Sequence, residues 1–177
     1  MRQIALLRGI NLGPRNRIAM PQLRKELEGA GFEDVRTYLQ SGNVVLASDL
    51  PSEQLARRLE RQIEHAFKLD IAVIVRTRDE LADVVKHNPL KKVATNPKRY
   101  QVSFLSDELD RETIEELAAL AVPSERFVAR DRELYAWHPD GVARSKLWAR
   151  LAGKGLGVTA TARNWTTVTS LLELADE

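Results

Sequence analysis

Apolar positions recur along this chain with two different periods. The run Ile4–Leu7 inside RQIALLR is continuous and too short for a helix, which predicts a buried strand over 2–8. Met20, Leu23, Leu27 and Ala30 then recur at spacings of three and four, the signature of one helix face. Pro21 suits the first turn of that helix, and Gly31 suits its end. VRTYLQ (35–40) and NVVLA (43–47) predict two strands joined at Ser41-Gly42. Leu55, Leu59, Ile63 and Phe67 step by four and predict a helix from Pro51 to Phe67. DIAVIVR (70–76) predicts another buried strand. Asp79–Lys86 predicts a short helix that stops ahead of Asn88-Pro89, because proline disfavours helix in the residue before it.

The order β-α-β-β-α-β followed by a helix is the split βαβ arrangement. It recurs in the second half. RYQVSFL (99–105) reads as a strand and Asp110–Ala121 as a helix with Ile114, Leu117, Ala118 and Ala121 on one face. Arg126–Ala129 and Glu133–Trp137 read as a hairpin, Ala143–Ala152 as a helix, Leu156–Thr159 as a short strand and Asn164–Ala175 as a final helix. The expected fold is α+β: two tandem ferredoxin-like βαββαβ subdomains, each followed by an extra helix. Their expected limits are 1–87 and 99–177, with NPLKKVATNPK (88–98) as a proline-bearing linker. The halves share no convincing residue-level identity, so the repeat is one of structure.

Composition narrows the class without naming a reaction. The chain has 177 residues, 27 Lys+Arg against 25 Asp+Glu, and no cysteine. A disulfide framework, a thiol nucleophile and a cysteine metal site are therefore excluded. No apolar run approaches the roughly 20 residues of a membrane helix, and Ile4–Leu7 is too short for a signal-peptide core. No membrane partner and a cytoplasmic location are expected. Charge is uneven: 87–105 carries Lys91, Lys92, Lys98 and Arg99 with no acid, whereas 106–134 holds nine acidic and four basic residues. The alternatives for the basic stretches are a solvated mixed surface and a contact with nucleic-acid backbone.

The strand order points to one candidate site. Strands one and three of such a unit are central antiparallel neighbours, so the loop Gly9–Arg17 falls beside Ser41-Gly42-Asn43. Gly9, Asn11, Arg15 and Arg17 lie on that loop, and Arg8 ends the preceding strand. Glycine permits close backbone approach, arginine clamps phosphate or carboxylate bidentately, and the loop runs into a helix N-terminus. A phosphorylated or carboxylated small molecule is the expected ligand. The alternative is that the glycines serve turns, the asparagines cap backbone groups and the arginines are solvated. Arg163, Asn164 and Trp165, with Lys146 and Trp148, form a second candidate region, in which the tryptophans stack on a ligand ring. Its alternative is core packing, with Asn164 capping the last helix.

No Walker loop, dinucleotide fingerprint, GxSxG elbow or HExxH is present, and no cofactor or metal is implied. His65, His87 and His138 are isolated and read as surface or capping residues. IALLRG and NVVLAS carry no aromatic, which removes base stacking on the central strands.

The stretches LRGIN, YLQSGNVV and RNWTTVTSLLELA, within Ala5–Leu46 and Ser145–Ala175, closely resemble the bacterial family known as domain of unknown function 1697. The resemblance implies two α+β subdomains of ferredoxin-like character and brings no established activity. Its most recognisable residues, Arg8, Gly9, Asn11, Tyr38, Ser41, Gly42, Asn43, Arg163, Asn164 and Trp165, coincide with the two candidate regions. Relatives commonly read GGRN or GGKN where this chain has Gly13-Pro14-Arg15-Asn16, and Pro14 removes one N–H donor. Three functions stay in view: an anion-binding protein or enzyme, a nucleic-acid backbone binder, and a non-catalytic interaction module joined through sheet edges.

Overall fold

The computed structural model describes residues 1–153 and 155–177. It is a mixed α/β protein with two four-stranded antiparallel sheets and, among the described residues, six α-helices. The chain divides into two compact units, Met1–Asp83 with Ser170–Glu177, and Val84–Thr169. Segment 88–98 lies within the second.

The first unit is built on β1 (Arg2–Leu7), α1 (Met20–Gly29), β2 (Glu33–Tyr38), β3 (Asn43–Ala47), α2 (Ser52–Phe67) and β4 (Val73–Thr77). Its sheet order is β2-β3-β1-β4, so β1 is hydrogen-bonded on both edges. Ala5 and Leu7 of β1 face the helices and pack with Leu23 and Leu27 of α1 and Leu55, Leu59 and Ile63 of α2. Ile4 and Leu6, on the opposite face, are also almost completely buried. A strand buried on both faces reads as a continuous apolar run rather than an alternating one, which is why IALL was legible.

The second unit repeats the arrangement. α3 (Arg78–His87) carries the chain into it, followed by β5 (Tyr100–Leu105), α4 (Arg111–Leu120), β6 (Arg126–Arg130), β7 (Glu133–Trp137), α5 (Lys146–Ala152), β8 (Ala160–Asn164) and α6 (Trp165–Asp176). The sheet order β6-β7-β5-β8 puts β5 at the centre. Leu105, Leu134 and Ala136 pack with Leu117, Leu147 and Leu151 on the helical side. α6 ends among first-unit residues: Arg36 Nη1 reaches the Leu174 carbonyl at 3.4 Å, and the Arg78 guanidinium grips both Asp176 oxygens at 2.6 and 3.1 Å.

The boundaries differ from expectation where local chemistry intervenes. β8 is Ala160–Asn164, not 156–159. Gly155 and Gly157 take positive φ in a run of bends, and Leu156 reaches the core from that loop. The apolar run therefore marks a plug rather than a strand. β2 begins at Glu33 and ends at Tyr38, because Leu39 turns into the left-handed region at φ 59°. α5 starts at Lys146 because the Ser145 side chain accepts from the Trp148 N–H and caps it. Among the described residues no helix is long and apolar enough to cross a membrane.

Candidate functional site

The antiparallel register places Leu6 opposite Asn43, and the Leu7 N–H donates to the Gly42 carbonyl at 2.9 Å. The end of β1 and the 41–43 turn are thus neighbours. Most polar groups gathered here hold backbone. Asn11, at φ 56°, donates from Nδ2 to the Ile18 and Gln40 carbonyls at 2.9 and 2.7 Å, and its Oδ1 accepts the Ile18 N–H at 2.9 Å. One side chain closes the loop on itself and ties it to the hairpin. Asn43 is fully buried and donates to the Tyr38 carbonyl at 2.7 Å and to Ser41 Oγ at 3.0 Å. Gly42 sits at φ 88°, and a Cβ there would lie 2.5 Å from Ile10 Cδ1 and 2.9 Å from Leu7 Cβ.

The arginines are disposed differently. Arg8 is half-buried, and its N–H donates to the Ala72 carbonyl at 2.9 Å. Gly9 and Arg15 are exposed; Arg17 is exposed and donates from Nη1 to the Gly13 carbonyl at 3.3 Å. Leu12 and Leu39, which were not singled out in the sequence, are also exposed here, at 85% and 51%. They adjoin Asn11 and Gln40, the two residues that Asn11 Nδ2 joins.

In the second region Trp148 and Trp165 are both half-buried. The Trp165 ring stacks on Tyr100 at 4.9 Å and 21°, and the Tyr100 hydroxyl donates to Asn88 Oδ1 at 2.9 Å. Burial pushes the Tyr100 phenol up to about 12. Asn164 Oδ1 accepts the Thr167 N–H at 2.9 Å and caps α6. Arg163 is buried, donates to Thr161 Oγ1 and the Ala162 carbonyl, each at 2.8 Å, and is pulled down to about 10 by desolvation. It remains charged at neutral pH. Lys146 is exposed, and Trp148 meets His138 edge-on at 5.8 Å.

That histidine corrects a sequence expectation. His138 is fully buried rather than superficial, and its Nδ1 lies 2.5 Å from Glu125 Oε2. Ser145 Oγ donates to the same oxygen at 2.6 Å, and the Val122 N–H donates to Oε1 at 3.1 Å. Burial pushes the Glu125 carboxyl up, but the Ser145, His138 and Val122 hydrogen bonds outweigh it and hold the group below the ordinary carboxylate range. Ser145 Oγ also accepts the Trp148 N–H at 3.0 Å, which caps α5, and lies 3.4 Å from His138 Nδ1. Spacings of 13 and 7 residues gave no sequence signal for this cluster.

Residues 1–135 match the family described as "Protein of unknown function (DUF1697)". The chain belongs to this family. A solved structure described as conserved bacterial protein SP0830 from Streptococcus pneumoniae is similar to it. That likeness has a TM-score of 0.78 at 21% identity and covers 98% of each chain, which shows a shared fold. No curated protein matches the chain.

In this DUF1697 member Pro14 is exposed and the loop is held by Asn11 rather than by a glycine nest. Gly42→Ala is expected to cost about 2–4 kcal/mol, from positive-φ strain plus overpacking against Ile10 and Leu7. Urea unfolding measures it, and a wild-type midpoint would remove Gly42 from the account of the turn. The Glu125 carboxylate contributes stability above its unfolded value, near 4.5, and that contribution is lost as pH falls through the lower folded value. Glu125→Gln is therefore expected to lower stability at neutral pH and to make its decline into acid shallower. Parallel acid limbs in the two proteins would show that this carboxyl does not govern it.

Proposed function

We propose that this protein binds a phosphorylated or carboxylated small molecule at the edge formed by the loop after β1 and the 41–43 turn. The observation that carries this reading is the hydrogen-bond set of Asn11, which holds the loop to the hairpin and so displays arginines from a fixed backbone. Fixing the backbone beforehand removes an ordering cost from binding. No acidic residue precedes Glu26; Arg2 and Arg24 are paired with Asp34 and Glu28, which leaves Arg8, Arg15 and Arg17 as the cations at the end of β1 and on the loop after it. Among the described residues neither Arg15 nor Arg17 has an ion-pair partner, and Arg17 meets only the neutral Gly13 carbonyl, so both guanidiniums are offered to an incoming anion. Arg8 reinforces the local positive field, and Ser41 and Asn43 position the turn against which the ligand sits.

The same reading takes each unit as ferredoxin-like, supported by β1 and β5 as the central strands of matching antiparallel orders. A second reading, a surface that docks another protein, is favoured by the exposed Leu12 and Leu39 on the same edge.

A thermal-shift comparison of wild type with an Arg15→Ala/Arg17→Ala variant tests the proposal against inorganic phosphate, acyl phosphates, sugar phosphates and dicarboxylates. A ligand at 100 times its Kd stabilises by about 2.7 kcal/mol, roughly 5–10 °C for a chain of this size. The expected result is a shift with one class that the variant loses. An equal shift in both proteins would move the site elsewhere. No shift with any class would leave the docking reading as the better account of the exposed leucines.

A further inference from the structure

The second unit carries a cleft of about 400 Å³ lined by His87, Asn88, Leu90, Lys91, Lys92 and Arg126. Its wall is a compact turn at the end of α3. The Asn88 N–H makes a last helical bond to the Val84 carbonyl at 3.2 Å, and Asn88 then takes φ 31° ahead of Pro89. The Lys91 N–H donates to the Asn88 carbonyl at 3.3 Å and the Ala94 N–H to the Leu90 carbonyl at 2.9 Å. Leu90 is buried and anchors the turn, while Lys91 and Lys92 are exposed.

The charges lining this cleft are uncompensated. Among the described residues neither lysine has an ion-pair partner, and no carboxylate lines the space. Arg126 Nη1 is held by two neutral acceptors, the Pro123 and Glu125 carbonyls at 2.7 and 2.9 Å, so its full charge remains. The adjacent Glu125 carboxylate is engaged with His138 and Ser145. The carboxyl end of α3 contributes about half a negative charge. That is small against three cations. The Asn88 amide is oriented by the Tyr100 hydroxyl on its Oδ1, which leaves its Nδ2 as a donor. Val93, 40% exposed, and Leu90 add an apolar wall.

We propose that this cleft binds an organic phosphate of nucleotide size. Lys91, Lys92 and Arg126 would hold the phosphates, Asn88 Nδ2 would donate to a polar atom, and Leu90 and Val93 would pack against the uncharged part. Three cations call for a ligand with two or more negative charges, which a monocarboxylate does not supply. The volume falls in the range of small-molecule sites. A nucleic-acid backbone track is disfavoured because the basic segment divides. Lys98 and Arg99 do not line the cleft, and Arg99 Nη1 is bound to the Pro139 carbonyl. This site is independent of the loop after β1.

The test titrates the full chain with a fluorescent ATP analogue, using unlabelled ATP, inorganic triphosphate and single-stranded oligonucleotides of increasing length as competitors. Binding is expected in wild type and in the Arg15→Ala/Arg17→Ala variant. It is expected to weaken at least about tenfold, or 1.4 kcal/mol, in Lys91→Glu/Lys92→Glu. Both lysines are exposed, so an unchanged circular dichroism spectrum and melting profile should accompany that loss. ATP competing better than inorganic triphosphate would support the apolar wall. No binding up to about 1 mM, or equal affinity in the charge-reversed variant, would overturn the proposal. Competition that tightens steadily with oligonucleotide length would also overturn it, in favour of a backbone contact.

Discussion

Everything in the first unit depends on β1 being paired along both edges. Its residues register against β3 from Arg2↔Ala47 to Leu6↔Asn43 and against β4 from Gln3↔Thr77 to Leu7↔Val73. A strand hydrogen-bonded on both sides and buried on both faces has no freedom to slip, since a one-residue shift would exchange its two sets of buried side chains. Where β1 stops is therefore fixed, and so is the starting point of the loop that follows. β5 has the same place in the second unit, with β7 and β8 as its partners.

The polar residues that look most chemical are largely engaged in holding backbone. A side-chain amide can make several directed hydrogen bonds without charge, and Asn11, Asn43 and Asn164 each satisfy carbonyls or N–H groups that the irregular chain leaves unmet. Asn tolerates positive φ, which suits Asn11, Asn16 and Asn88 to their turns. The two proposed sites rest instead on charged groups that no carboxylate neutralises. Arg15, Lys91 and Lys92 belong to that set, on backbone the asparagines help to shape.

The regular elements were legible because their signals are local. Leu55, Leu59 and Ile63 lie on one helix face whatever surrounds them, and β3 and β7 follow the expected residues from end to end. The errors came where a decisive partner is distant in sequence. Leu156 has the apolar neighbours of a strand residue, but Gly155 and Gly157 bend its backbone and β5 pairs with the less apolar ATARN instead. His138 looks solitary because Glu125 and Ser145 meet it only once β6, β7 and α5 are assembled. At the first-strand loop the adjacency to Ser41–Asn43 was legible from strand order alone. The role of Asn11 was not, because its acceptor at Gln40 is 29 residues away. The cleft beside Lys91 was half legible: its lysines stood out as an acid-free run, and Arg126 joins them only in three dimensions.

The return of α6 to the first unit has a consequence for biosynthesis. Ser170–Glu177 belongs with Met1–Asp83, yet all of Val84–Thr169 is translated between them. At ribosomal rates of about 5–20 residues per second, that interval lasts roughly 4–17 s. Through it the nascent first unit lacks the segment that supplies the Leu174 carbonyl to Arg36 and the Asp176 carboxylate to Arg78. The sheet can form early, since β1 to β4 are consecutive, but the unit closes only after the second has been made. The order of synthesis and the order of completion are reversed.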